Sequence, residues 1–550
     1  MRKMILLASS LFVFAESGAQ TFRHYVTTEA EAWQQSKVTL SAKGAKEPLL
    51  QVDGTEKGHE FRAWGTCFNE LDLDALELLS ADAQQEVMQR LFSPDGELKF
   101  MRGRLTMNAN DYSRAWYSCD TVAGDFGLKY FNIEHDKQNV IRLIRMAQKW
   151  QPDLTFWMSP WSPPAWMKIN NDYPVLSSPF NQQPKEKDYL LYDSNEEIDP
   201  DEMKLLGDRS GVFPRRLASQ NYFIQDPRYL QAYANMFCRF IDLYAAEGIP
   251  IDMVMYQNEA YSYTPYPGCA WTAEGTQNFN RNYLRPTLAK LHPEVKLYLG
   301  TFNTNRIDYV EKIVDGLKDE VQGLGIQWEC REHLARLGSR YPHLHLISSE
   351  SECGNGSMDW TQGEHTFHLL CDYIGRGCDE YFIWNFILCD NGQSPWGWRQ
   401  NALIQVDSKT RQHRYTAEYY AVKHFSNQVP PGSRMIAYQS KDETHGTPAI
   451  VFVRPDNKRV AIVGNLTAEQ RDVTIQLGRK YLNAPLPPTL LPLLCRAVVT
   501  SFAPWRSPPD GEPYPSTTAG RTRGVRHGVP LGYDSWAVPN SVCVFLVCSK

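Results

Sequence analysis

Two glutamates stand where short apolar runs break off into polar residues. The run from Ile251 to Tyr256 ends in Gln257-Asn258-Glu259, and the run from Leu344 to Ile347 ends in Ser348-Ser349-Glu350. One carboxyl held protonated and another held ionised make an acid beside a base or nucleophile, the equipment for proton transfer and covalent capture. A single carboxylate after a strand is more often just a solvated loop residue, so the neighbours matter. Here the neighbours are chemical too. Arg104, Asn108 and Asp111 close the run that opens at Leu98; Ser159, Trp161 and Trp166 follow Leu154-Thr155-Phe156-Trp157-Met158; Trp384 and Asn385 follow Tyr381. Glu352 lies two residues beyond Glu350, and because alternate residues of a strand share a face, it competes for the same role.

Side chains this far apart in the chain meet only if a repeating scaffold carries them. Eight β-type runs open at Phe61, Leu98, Leu154, Ile251, Val295, Gly323, Leu344 and Tyr381. Between them, apolar spacings of three and four predict helices over 76–92, 140–149, 229–246, 273–291, 309–317 and 361–376, with another at 416–426. Such alternation predicts an α/β fold, a closed (β/α)8 TIM barrel over about 56–434, whose working residues sit at the C-terminal strand ends. Both glutamates fall there. On the fourth and seventh runs they stand nearly opposite across the mouth, where they could flank a glycosidic bond; retaining cleavage needs such a pair about 5–5.5 Å apart. Tryptophan at the mouth offers the apolar face of a sugar a rigid platform, although a single tryptophan is more often core. The polar, Pro- and Asn-rich stretch 170–228 reads as an insertion above the mouth. Strand-only patterning at 435–486, joined by residues 20–55, predicts an appended β-sandwich formed by both chain ends.

The 550 residues, 42% hydrophobic and 22% charged, have a globular composition, and a net charge of −6 without long single-sign blocks argues against a nucleic-acid partner. Residues 1–19 read as an export signal: Met1-Arg2-Lys3, an apolar run from Met4 to Ala15, then Ser17-Gly18-Ala19 before Gln20. No later run reaches the roughly 18 apolar residues of a membrane span. A periplasmic or extracellular monomer with a carbohydrate partner is expected. The twelve cysteines show no zinc-type pairs and read mostly as buried thiols. His365 and His368, with no third ligand near them in sequence, read as a helix face, so no metal or cofactor is expected.

Four stretches carry a resemblance. RLTMNANDYS from Arg104, SPWSPPAWMKIN from Ser159, QNEA from Gln257 and SSESECG from Ser348 resemble, in order, the strand-two, strand-three, acid/base and nucleophile motifs of glycoside hydrolase family 30. The likeness spans about 60–437. It implies a retaining β-glycoside hydrolase acting on β-linked oligo- or polysaccharides, with Glu259 as acid/base and Glu350 as nucleophile. By the same likeness Asn258 bonds the sugar 2-hydroxyl, and Arg104, Asp111, Trp161 and Trp384 line the subsite of the cleaved sugar. A barrel that binds carbohydrate without catalysis is the alternative. The family often has His-x-Tyr after the sixth strand, with the tyrosine touching the nucleophile; this chain has Gln327-Trp328-Glu329, which join the candidate substrate-binding residues. A third carboxylate there would disfavour ionisation of Glu350 unless it is compensated. β-Glucoside, β-xyloside, β-galactoside and β-fucoside substrates stay open.

After Leu486 the patterning stops, and the Pro- and Arg-rich stretch 504–528 has neither strand alternation nor helical period. Family members usually finish on a strand resembling His-Ser-Phe-His-Thr-Phe. With one choice of codons, residues 489–496 read from the second base give His-Ser-Phe-His-Ser-Phe-Val-Val. Residues 487–550 are therefore expected to be a frame-shifted tail that leaves the sandwich with an unpaired edge. The stretch 535–550 is strand-like, and in a genuine appended module it would form one.

Overall fold

The computed structural model describes residues 21–44, 49–187, 221–262, 264–441, 447–466, 471–477, 479–486 and 542–548. Residues 1–19, expected to be an export signal, much of the insertion (188–220) and most of the tail (487–541) lie outside the described residues. Three strands come first: β1 (Thr21–Thr27), β2 (Gln34–Thr39) and β3 (Leu50–Phe61). Then β4 (Ala63–Cys67), β5 (Arg102–Met107), β6 (Thr155–Pro160), β7 (Ile251–Met255), β8 (Lys296–Phe302), β9 (Gly323–Ile326), β10 (His345–Ser348) and β11 (Cys378–Ile383) close into a parallel barrel. These are the eight expected runs. Helices cover one face of each strand and the packed lumen the other, which is why the strands read as nearly unbroken apolar runs. Trp157, Met253, Met255, Tyr298, Ile347 and Phe382 fill the lumen as a core of their own. Gly65 is required there, because a Cβ would lie 2.3 Å from the Phe382 ring.

The helices differ from expectation where local chemistry intervenes. The helix expected over 76–92 is two, Glu70–Glu77 and Ala81–Phe92, because the Ser80 hydroxyl accepts from the Ala83 N–H (3.3 Å) and caps a new start. The helix expected over 273–291 carries a π turn, Asn280–Leu284, immediately ahead of Pro286, which has no N–H for the ladder. No helix among the described residues is long and apolar enough to cross a membrane. The cysteines whose side chains are described are free thiols, most of them buried.

Beyond β11, a small sheet of β12 (Ile387–Cys389), β13 (Ile404–Val406) and β14 (His413–Tyr415) braces the last barrel loop. The strands β15 (Ser433–Ser440), β16 (Ala449–Val453), β17 (Arg459–Asn465), β18 (Arg471–Leu477), β19 (Lys480–Leu486) and β20 (Val542–Cys548) join β1–β3 in one sheet. Its order is β19-β18-β3-β15-β16-β17-β20-β1-β2. Its outer strands return to each other, with Ser41 and Tyr481 exchanging two backbone hydrogen bonds of 2.9 Å. The sheet thus wraps a second core that includes Phe22, Val26, Val52, Ile436 and Val451. Both chain ends feed this appendage.

β20 corrects the expectation of an unpaired edge. It pairs antiparallel with β17 (Val460↔Val547) on one side and with β1 (Phe22↔Cys548) on the other. The sequence Val-Cys-Val-Phe-Leu-Val-Cys favours a strand at nearly every position, and the sheet supplies the two partners that a lone strand lacks.

Candidate active site

Strand β5 delivers Arg104 into the barrel mouth, and three other strand ends converge on it. Its Nη1 donates to Glu350 Oε2 (2.7 Å) and to the Ser349 carbonyl (3.1 Å). Its Nη2 donates to Asn258 Oδ1 (2.7 Å) and Ser159 Oγ (3.2 Å). The guanidinium carbon lies 4.7, 4.4 and 5.5 Å from the rings of Trp157, Trp161 and Trp384. Trp161 and Trp384 stack on each other at 4.9 Å. A fully buried guanidinium is tolerable only with such company: a carboxylate, three further oxygens and three indole faces. Trp161 and Trp384 are therefore 2% and 1% exposed, walls of the site rather than the open platforms expected.

After β7, Asn258 is fixed by its N–H to the Pro160 carbonyl (2.8 Å), and its Oδ1 also accepts from Thr301 Oγ1 (2.9 Å). Glu259 follows at φ +48°, a left-handed conformation that costs a non-glycine residue roughly 1–3 kcal/mol and that clusters at functional sites. Its N–H is held by Thr301 Oγ1 (3.2 Å). Gln327 Nε2 donates to its Oε1 (3.0 Å) and the Tyr266 hydroxyl to its Oε2 (3.1 Å).

Burial raises the pKa of both Glu259 and Glu350. On Glu259, the hydrogen bonds from Gln327 and Tyr266 work against burial; on Glu350, the Arg104 charge and the Trp328 indole N–H do so, while Glu259 adds to the rise. Each carboxyl makes ionisation of the other harder, so the protons leave the pair in two steps; Glu350 is the member in direct contact with a guanidinium.

The three residues after β9 divide their contacts. Gln327 bridges Glu259 and the Ser349 hydroxyl, which donates to its Oε1 (2.9 Å). Trp328, at φ +48°, gives its indole N–H to Glu350, the contact expected of a tyrosine. Glu329 keeps contact with solvent, yet partial burial and the nearby Glu259, Glu352 and Glu332 raise it to about 7. Glu329 thus bears on Glu259 and Glu352, while Arg104 and Trp328 favour the ionised form of Glu350.

Glu352 is engaged elsewhere. It accepts from Arg331 Nε (3.3 Å) and bonds His365 Nε2 (2.9 Å) on the helix Trp360–Gly375. Although burial pushes it up, those two partners hold it below the usual carboxylate range. His365 is thereby occupied, and among the described residues no three His, Cys, Asp or Glu side chains are grouped to hold a metal.

Asp111 is buried at the same mouth. Burial, then Glu350 and Glu259, push its pKa well up; its Oδ1 has no hydrogen-bond partner, and neither has Trp384 Nε1. Asn108, at φ +71°, ties loops together through the Ser162 carbonyl (2.9 Å) and the Cys119 N–H (2.8 Å). Asn385 donates to Gln400 (2.7 Å) behind the site. Trp166 lies outside it, bonding the Asp120 carbonyl (3.2 Å) and packing on Phe126 and Tyr229. Sequence reasoning passed over Tyr266, Thr301, Trp157 and Trp396, whose indole N–H donates to the Asp111 carbonyl (2.8 Å). Tyr266 had one weak signal, its place soon after Glu259 between two prolines.

The model of the glycosyl hydrolase family 30 TIM-barrel domain matches residues 61–185 and 220–429. The chain belongs to glycosyl hydrolase family 30. This family 30 chain is 22% identical over 513 residues to the endo-1,6-beta-D-glucanase neg1 of Aspergillus fumigatus, covering 86% of this chain and 94% of that one. It is 23% identical over 454 residues to the lysosomal acid glucosylceramidase of Mus musculus, covering 78% and 79%. The crystal structure of SrfJ from Salmonella typhimurium shares its fold, with a TM-score of 0.73 at 19% identity over 96% of this chain and 100% of that one. As a family 30 member the protein is a glycosidase, and its substrate is a carbohydrate.

Proposed function

We propose that this family 30 glycosidase hydrolyses β-glucosides with net retention, Glu350 acting as nucleophile and Glu259 as acid and then base. The observation that carries the reading is the division of partners. Glu350 is in contact with the fixed charge of Arg104, whereas Glu259 is bonded by the neutral donors Gln327 and Tyr266. A pair of carboxyls whose surroundings push their protonation apart is what acid and nucleophile roles require.

In the first step the Glu350 carboxylate attacks the anomeric carbon, and Glu259 passes its proton to the departing oxygen. In the second, Glu259 takes a proton from water, which attacks the same carbon and frees Glu350. With Asn258 Oδ1 held by Arg104 and Thr301, its amide nitrogen is left as donor for a sugar hydroxyl. Asp111 Oδ1 and Trp384 Nε1, buried without protein partners, are a carboxyl oxygen and an N–H donor that further hydroxyls would satisfy. The names of both relatives specify a glucose-containing substrate, which supports a β-glucoside over the β-xyloside, β-galactoside and β-fucoside.

The test is a panel of aryl β-glycosides with NMR of the first-formed sugar. Turnover of the β-glucoside with the β-anomer released first is expected. Initial release of the α-anomer would overturn the mechanism, and a clear preference for another glycoside would overturn the sugar.

A further inference from the structure

The loop that brings Tyr266 to Glu259 is held from outside the barrel by one buried lysine. Lys168 ends the loop after β6 and is 2% exposed. Its Nζ donates to the carbonyls of Tyr173 (2.6 Å), Gly268 (2.7 Å) and Pro174 (3.2 Å) and lies 3.3 Å from Ser162 Oγ. Burial lowers its pKa to about 8. Three backbone segments meet at this ammonium: the β6 loop, the first part of the insertion and the β7 loop. The insertion adds its own ties. Val175 and Leu176 N–H donate to the Thr264 carbonyl (2.9 and 3.0 Å), Gly268 N–H to the Tyr173 carbonyl (3.1 Å), and Asn181 Nδ2 to the Pro265 carbonyl (2.9 Å). Tyr266 lies between the anchored residues Thr264 and Gly268. Its ring packs against Trp396 (4.6 Å) and its hydroxyl donates to Glu259 Oε2 (3.1 Å).

We propose that Tyr266 is a positioning residue for Glu259, that the Lys168 clamp holds it in place, and that it sets the pH above which Glu259 no longer serves as acid. The inference rests on the reading of Glu259 as acid/base. An O–H donor favours the ionised carboxylate, so Tyr266 eases loss of the proton to the leaving oxygen and stabilises the base of the second step. The charged and titratable groups facing the pair are Arg104, which also favours ionisation; Glu350, Asp111 and Glu329, which oppose it; and the Cys353 thiol, which burial keeps neutral. All of them stay in place when Tyr266 becomes phenylalanine, so the effect of losing the hydroxyl has a definite sign.

The experiment compares pH profiles of kcat and kcat/KM for Tyr266→Phe, Lys168→Met and Glu259→Gln on an aryl β-glucoside and a β-linked disaccharide, with thermal melts. Tyr266→Phe should move the alkaline limb up by about one pH unit. It should also lower kcat on the disaccharide about tenfold, with KM changed less than twofold and Tm unchanged. Lys168→Met should move the same limb in the same direction while lowering Tm; if it does not fold, Lys168→Gln takes its place. An unmoved limb in Tyr266→Phe overturns the inference. An unmoved limb in a folded Lys168 variant overturns the clamp. Glu259→Gln separates the levels: if it abolishes disaccharide turnover, the acid/base reading survives a failure of Tyr266, and if it keeps the parent profile, the reading itself falls.

Discussion

The Arg104 guanidinium and the Glu350 carboxylate form a 2.7 Å ion pair with both side chains almost wholly enclosed. A buried pair is costly to break, since the partner left behind keeps its charge without compensation, typically at about 3–5 kcal/mol. Lysine keeps the charge of Arg104 but not its fork, and it cannot serve Glu350, Ser349, Asn258 and Ser159 together. Arg104→Lys should therefore lower kcat by roughly two orders of magnitude or more. Weakening the positive contact raises the Glu350 pKa, and because activity needs Glu350 ionised, the acidic limb of kcat/KM should move to higher pH. A limb that stays still or moves down in a pH series would count against the assignment.

Glu350 and Glu352 should separate cleanly. Glu350→Ala removes the covalent route and should lower kcat by roughly three to five orders of magnitude. Glu352→Ala should keep kcat within about tenfold yet lower Tm, because Arg331 and His365 lose their shared carboxylate. Parallel rate and melting measurements on the two variants decide it, and the reverse pattern would exchange their roles.

Glu259→Ala should discriminate between leaving groups. A substrate whose aglycone departs without help should lose less than about tenfold in the first step, whereas an alkyl glucoside or a disaccharide should lose about a hundredfold or more. Equal losses across a leaving-group series would remove Glu259 from the acid role.

Deleting residues 542–550 strips β17 and β1 of the strand they share. The expected outcome is a lower Tm and a greater tendency to aggregate, with kcat little changed below the transition, since the barrel mouth is built by other elements. If 487–550 were instead a frame-shifted stretch with no part in the fold, the shortened chain would melt where the full chain does.

The barrel was legible because each strand is an apolar run ended by polar chemistry, and both glutamates could be placed at its mouth for that reason. Contacts that depend on loops meeting from different strands were not. Trp157, Trp161 and Trp166 come from one short stretch, yet one lies beneath Arg104, one stacks on Trp384 and one packs with Phe126 outside the site. Sequence spacing does not distinguish these fates, because the prolines at 163 and 164 redirect the chain between the second and the third. Tyr266 left only a weak trace for a related reason. Its contact with Glu259 depends on a loop pinned by carbonyl groups, and backbone acceptors leave no mark on residue type. β20 failed in the other direction: its strand pattern is plain, but nothing nearby in sequence says that its partners are β1 and β17.

The pairing of Phe22 with Cys548 sets an order of events during synthesis. Every barrel strand is made before β20, so the barrel can close while the appendage still lacks a member. At roughly 5–20 residues per second, β1 waits about half a minute to two minutes for its neighbour to be translated. β1 lacks a partner along that edge for the whole of that time, whereas β17 waits only about 4–15 s, and the sheet completes only after β20 has left the ribosome. The slowest part of acquiring this structure should therefore be the docking of β20 on β1, a contact between strands more than 500 residues apart, rather than the closing of the barrel that carries the chemistry.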